Sequence, residues 1–179
     1  MRSFFLILFL ACGPLIFAQQ KTTVYRTAGD STQNYYTALV PSGTSKGLLV
    51  ILGGFCTPPD EVMRETKLPV TAVTAGYTVI LPYLLDECMI VDTADVYETL
   101  LESLIRELIK KYSAPMGRFI IGGQSLGGHR AVLYAEQAYR SNGPGFVRPN
   151  GVFGVDPPLG GSVARGPVAR GLSFGHREG

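Results

Sequence analysis

The 179-residue chain reads as an α/β protein: a mostly parallel sheet with helices on both faces. Three observations predict this. Leu48-Leu49-Val50-Ile51-Leu52 is an apolar run without alternation, the pattern of a strand buried on both faces. From that run onward, short apolar stretches alternate with helical patterns. The stretch from Gly117 passes through Phe119-Ile120-Ile121 into Gly122-Gly123-Gln124-Ser125-Leu126-Gly127-Gly128, then directly into the alanine-rich His129 to Ala135. That is strand, tight turn and helix.

The first residues are expected to lie outside the fold. Arg2, the apolar run Phe4 to Leu10, and Leu15-Ile16-Phe17-Ala18 before Gln19 make a secretory signal over residues 1–18, cleaved after Ala18. A lipoprotein anchor at Cys12 is the rival, with Phe9-Leu10-Ala11 a poor match to the usual box. The run is too short to span a bilayer. A secreted or periplasmic location follows as an expectation. There Cys56 and Cys88 face oxidising conditions, and their spacing leaves open whether they pair. With two histidines, neither near a cysteine, no metal site is expected.

Thr22 to Thr27 and Tyr35 to Pro41 are β-rich stretches around Gly29-Asp30-Ser31, an expected antiparallel pair. After the Leu48–Leu52 strand comes Gly53-Gly54-Phe55-Cys56-Thr57-Pro58-Pro59. Asp60 is expected to cap a short helix to about Lys67, with Pro69 limiting it. Tyr77 to Pro82 is the next buried strand, and residues 83–91 an irregular apolar loop. Asp92 or Thr93 then caps the longest helix, to about Tyr112. Its Tyr97, Leu101, Leu104, Ile105, Leu108 and Tyr112 recur at steps of three and four. Asp95 and Glu98 fall early and Lys110-Lys111 late, which suits the helix dipole. Residues 141–145 form a loop, and Gly151 to Val155 a sixth strand ending at Asp156-Pro157-Pro158.

The domain is expected to occupy residues 19–158. The formal charge of +2 becomes −1 there, once Arg2 and the tail's three Arg and one Glu are set aside. A near-neutral body lacks the electrostatic footprint of a nucleic-acid binder. Residues 159–179 change character: glycine-rich, without periodicity, and nearly duplicated in Val163-Ala164-Arg165-Gly166 and Val168-Ala169-Arg170-Gly171. They are expected to be disordered.

Gly123-x-Ser125-x-Gly127, with a strand before it and a helix after it, is the context that a nucleophile elbow requires. The small neighbours let the backbone pass closely, and the turn lifts the hydroxyl above the sheet edge. Ser125 is the expected nucleophile. The bland alternative is a glycine-rich turn holding an incidental serine. Gly53-Gly54-Phe55 is glycine-rich where a backbone must approach a carbonyl, so the N–H of Gly54 or Phe55, with that of Leu126, is the expected oxyanion hole. A plain strand-ending turn is its alternative.

Together these residues resemble the α/β-hydrolase superfamily, in particular its secreted bacterial esterase-like members. The resemblance covers about residues 22–158 and rests on Leu52-Gly53-Gly54-Phe55, on Gly123 to Gly128, and on a strand followed by Asp156-Pro157-Pro158. It implies an eight-stranded sheet, a chain order of nucleophile, acid and histidine, and hydrolysis of esters or related acyl bonds without a cofactor. The expected partner is a small-molecule acyl substrate; nothing in the residues sets an oligomeric state. The chain departs from the pattern in that the last two strands are missing, as in a truncated or frame-shifted product. Asp156 stands where some members carry the acid, with a turn-capping role as its alternative. His129 lies on the same helix as Ser125 and is expected to be a surface or packing residue. His176 lies in the tail. A non-catalytic fragment, or a module that binds carbonyl ligands, is therefore the alternative to an active hydrolase.

Overall fold

The computed structural model describes residues 20–26, 34–84, 94–115, 117–140 and 145–156. The expected signal segment with Cys12, Cys88, the helix-capping Asp92 and Thr93, most of the 141–145 loop, and the tail with His176 lie outside the described residues.

Six strands form one sheet: β1 (Gln20–Tyr25), β2 (Tyr35–Val40), β3 (Leu48–Leu52), β4 (Thr78–Tyr83), β5 (Phe119–Gln124) and β6 (Gly151–Val155). Their spatial order is β1-β2-β4-β3-β5-β6. The first two strands pair antiparallel, as expected, and β2 also runs antiparallel to β4. The remaining neighbours, β3 with β4, β3 with β5, and β5 with β6, are parallel.

All five residues of β3 are buried, because its alternate side chains feed two separate cores. Leu48, Val50 and Leu52 join Ile80, Phe119 and Ile121 beneath α3 (Ala94–Lys111) and α4 (Leu126–Arg140). Leu49 and Ile51 join Val79 and Leu81 on the opposite face, beneath α1 (Pro59–Glu65) and α2 (Leu68–Thr74). On α3 the expected stripe is buried from Tyr97 to Leu108, while Tyr112 lies just past the helix end and is half-buried. Glu98 does not serve as a solvated acid at the helix start; it is 1% exposed.

Two local expectations are corrected. Asp60 is not a cap: α1 begins at Pro59, and no side chain caps its N-terminus. Proline at the first helical position has no N–H to satisfy and a preset φ, so the cap is dispensable. Asp60 instead pairs with Lys21 on β1 at 2.9 Å. Nor does Pro69 merely end a helix. It sits in the first turn of a second helix, α2, for the same reason.

The amino end of the sheet is tied by side chains. The buried Glu102 accepts hydrogen bonds from the Tyr134 hydroxyl and, at 3.0 Å, from the Val147 N–H. Arg106 completes this cluster, its Nε 2.5 Å from Glu102 Oε1 and its guanidinium donating to the Gly145 carbonyl. Burial, then the bond to Glu102, holds the Tyr134 hydroxyl far above the ordinary tyrosine range. Asn150 binds the start of β5 twice: its Oδ1 accepts from the Phe119 N–H at 3.1 Å, and its own N–H donates to the Phe119 carbonyl.

Candidate active site

The chain leaves β3 toward β4 on one side by way of α1 and α2, then crosses back to β5 on the other side by way of α3. The two crossovers cover opposite faces. A crevice therefore opens between the carboxyl ends of β3 and β5, the place where open α/β sheets take ligands. The last residues paired there are Leu52 and Gly123. The next residues on each side are Gly53-Gly54 and Gln124-Ser125.

Ser125 occupies the single-residue turn between β5 and α4, with φ at 50°. A left-handed backbone costs a residue with a Cβ about 1–2 kcal/mol, so the surroundings must hold it there. They do so by main-chain bonds. The Ser125 N–H donates to the Val155 carbonyl at 2.8 Å, and the Ser125 carbonyl accepts from the His129 N–H at 3.0 Å. The side chain is left exposed.

The glycines around this turn are needed for close approach. A Cβ on Gly127 would lie 2.2 Å from the Gly53 carbonyl oxygen, and one on Gly123 would lie 2.4 Å from the Leu52 oxygen. The first turn of α4 is therefore pressed onto the end of β3. Among the expected oxyanion-hole residues, Leu126 is the first residue of α4, where N–H groups have no partner within the helix. Gly54 faces the serine, since a Cβ built on it would lie 3.8 Å from Ser125 Cβ. Phe55 is 47% exposed and forms, with Gly54, Cys56 and Thr57, a tight turn closed by the Thr57 N–H on the Gly54 carbonyl at 3.2 Å.

Asp156 follows β6, in register beside Ser125, because Val155 pairs with Gln124. It is exposed and, like Ser125, left-handed, with φ at 45°. His129 is half-buried; its Nδ1 is buried without a hydrogen-bond partner, and its N–H serves the helix start. It is the only histidine among the described residues. Among those residues there is also no cluster of metal-ligating side chains, and no helix long and apolar enough to cross a membrane.

Two features of the site were not legible beforehand. Cys56 is disulfide-bonded, its partner lying outside the described residues, and its φ of 56° makes it the left-handed corner of the turn. The cysteine count signalled a bridge without saying whether one forms. The hold of Val155 on Ser125 had no sequence signal, because it depends on which strand lies beside β5.

No family model matches the sequence, and no curated protein matches it. Solved structures do share its fold. Esterase B from Lactobacillus rhamnosis, in a tributyrin-phosphonate-inhibited form, is similar at a TM-score of 0.59 and 20% identity, over 85% of this chain and 52% of that one. BioJ, a Francisella virulence factor, is similar at 0.58 and 13% identity, over 79% and 44%. S-formylglutathione hydrolase FrmB from Staphylococcus aureus is similar at 0.53 and 16% identity, over 66% and 52%. The chain thus spans roughly half the length of the structures it matches. The fold is that of the α/β-hydrolase superfamily. Among its structural neighbours are esterases and a fluorophosphonate-binding serine hydrolase.

Proposed function

We propose that this chain is a serine hydrolase acting on carboxylic esters or related acyl bonds, with Ser125 as nucleophile. The observation that carries the proposal is the placement of Ser125: exposed, held at φ 50°, between β5 and the amino end of α4, and facing Gly54. An acyl carbonyl above the hydroxyl would meet the first N–H groups of α4 on one side and the Gly53-Gly54-Phe55 backbone on the other. The roles of Leu126 with Gly54 or Phe55 as oxyanion hole follow from that pose. Asp156, in register beside Ser125, is the proposed acid. The esterases that share the fold support an acyl substrate. Action outside the cytoplasm, after loss of residues 1–18, is proposed on the signal pattern alone.

One observation favours the alternative, a module that binds carbonyl ligands without turnover. His129 lies one helical turn after Ser125, on the helix that follows it, with its ring Nδ1 buried, so it is badly placed to take the serine proton. Without a base, a serine beside an oxyanion hole retains only weak activity. A fluorophosphonate probe read by intact mass, with p-nitrophenyl acetate hydrolysis beside it, decides between them. Labelling of the wild type and none of Ser125→Ala is expected. Labelling that persists in Ser125→Ala sinks the assignment, and labelling without turnover favours the module.

A further inference from the structure

The turn after β3 faces the serine, yet the contacts within it are weak. A Cβ on Gly54 would fall 3.8 Å from the Ser125 Cβ, and the next residue, Phe55, is largely open to water. The Thr57 N–H reaches the Gly54 carbonyl at 3.2 Å, and the Thr57 hydroxyl reaches the Phe55 carbonyl at 3.2 Å. Both bonds are long for their kind, and the second is exposed. Gly53 and Gly54 add backbone freedom that such bonds restrain poorly. Cys56, at the corner, sits at φ 56°, a left-handed backbone that disfavours any residue with a Cβ. What fixes this corner covalently is the Cys56 disulfide. Its partner is Cys12 or Cys88, the chain's other cysteines, and the proposed loss of residues 1–18 leaves Cys88. Topology agrees. β4 runs parallel beside β3, so the chain leaves β4 toward Cys88 at the sheet end that carries the turn.

We infer that Cys56 is a positioning residue, whose bridge sets the turn that offers the Gly54 or Phe55 N–H to an acyl oxygen on Ser125. The reactivity of the serine then depends on the redox state of that bridge. The inference rests on Ser125 being the nucleophile and on the turn supplying one side of the oxyanion hole. The other side needs no such tie. The Leu126 N–H belongs to α4, whose first turn is wedged against β3 so closely that a Cβ on Gly127 would lie 2.2 Å from the Gly53 oxygen. One donor is thus held by packing and the other by a bridge. An oxyanion donor works by being aimed beforehand, so a turn free to wander forfeits its contribution. Opening the bridge takes two electrons and two protons. A dithiol supplies both: the S–S bond breaks, two cysteine thiols form, and the dithiol closes into its own disulfide. Cys56 is then free to leave φ 56°, and the turn with it.

The test compares the full chain, oxidised and after dithiothreitol, in two readouts. One is the rate of fluorophosphonate adduct formation at Ser125, read by intact mass. The other is amide hydrogen exchange in peptides over residues 53–57 and 119–124. Reduction should slow the adduct about 100-fold, the loss seen when one oxyanion donor is removed. Exchange should rise over 53–57 and stay unchanged over 119–124. Cys56→Gly separates the bridge from the strain, because glycine accepts φ 56° freely and cannot bridge. It should fold and label as slowly as the reduced protein. Peptide mapping without reductant should find Cys56 joined to Cys88; a free Cys56 thiol in the oxidised chain overturns the inference. Wild-type labelling rates in the reduced protein or in Cys56→Gly overturn it too, whatever happens to Tm. So does exchange that stays unchanged over 53–57, or that rises equally over both peptides, which would make the bridge a staple of the whole fold. If neither form labels while reduction loosens 53–57 alone, the hold on the turn stands and Ser125 as nucleophile falls.

Discussion

The two ends of α4 meet the same sheet by opposite means. At its carboxyl half, α4 is joined through side chains to α3 and to the segment that leads into β6: Tyr134 on Glu102, Phe146 edge-on to Tyr134 at 5.3 Å, and the Tyr139 hydroxyl on the Pro149 carbonyl at 2.8 Å. At its amino end there are almost no side chains to join. Gly127 and Gly128 press backbone on backbone against Gly53 and Gly123, and the one exposed hydroxyl, on Ser125, points away from the packing. Bonds satisfied inside the protein stabilise it, whereas groups left open to solvent are available to a ligand. The amino end of the sheet is thus built for stability, and the carboxyl end for approach. The strain at Ser125 belongs to the second end, where a favourable backbone is given up for an exposed hydroxyl.

The comparison breaks most sharply at Gly127. Alanine is the better helix former, yet its Cβ would lie 2.2 Å from a backbone oxygen that no rotamer change can move. Gly127→Ala should cost about 2–3 kcal/mol, as overpacked cores do, and abolish labelling of Ser125. A urea midpoint within error of wild type would show that the approach is looser than the geometry says.

Tyr134→Phe tests the other end. It leaves the buried Glu102 carboxylate one bond short, and should cost about 1–3 kcal/mol while the labelling rate of Ser125 stays as in wild type. A drop in labelling under folding conditions would mean that the two ends are coupled.

Ser125→Gly should have a smaller effect, and in the opposite direction. Glycine removes the left-handed strain but adds freedom to the unfolded chain, for a net gain of about 0.5–1 kcal/mol, read as a raised Tm with labelling lost. A lowered Tm would show that the serine side chain contributes to stability after all.

Near neutral pH the last effect vanishes. Tyr112 is pushed up to about 12, first by burial and then by the neighbouring Tyr36. Its folded value lies above the unfolded value of 10.0, so its contribution to stability is whole below pH 10 and is lost as pH rises toward 12. Alkaline unfolding in that window should be less steep in Tyr112→Phe. An unchanged profile would assign the alkaline loss to other groups.

Much of this was written in the sequence, because local chemistry settles it. Five consecutive apolar residues between Gly47 and Gly53 have the pattern of a strand covered on both faces, and Leu48–Leu52 is buried throughout. The run from Phe119 to Arg140 breaks at Ser125 because glycines on both sides permit a turn there and an alanine-rich helix after it. The bounds of β6 were likewise legible from an apolar run closed by Asp156 and prolines. Other features depend on partners distant in sequence, which only the tertiary structure supplies. Pro69 starts a helix or stops one according to what α2 can pack against, and Ala72 and Val73 find that surface on β4 and β2. Glu98 and Glu102 occupy polar-looking positions, yet both are buried, Glu102 against Tyr134 of α4. The demand for glycine at 127 comes from the end of β3, more than seventy residues away in the chain. The hold on Ser125 comes from Val155, because β6 lies beside β5. Residue types and spacing announced a serine in a tight turn; strand order decided which backbone groups surround it.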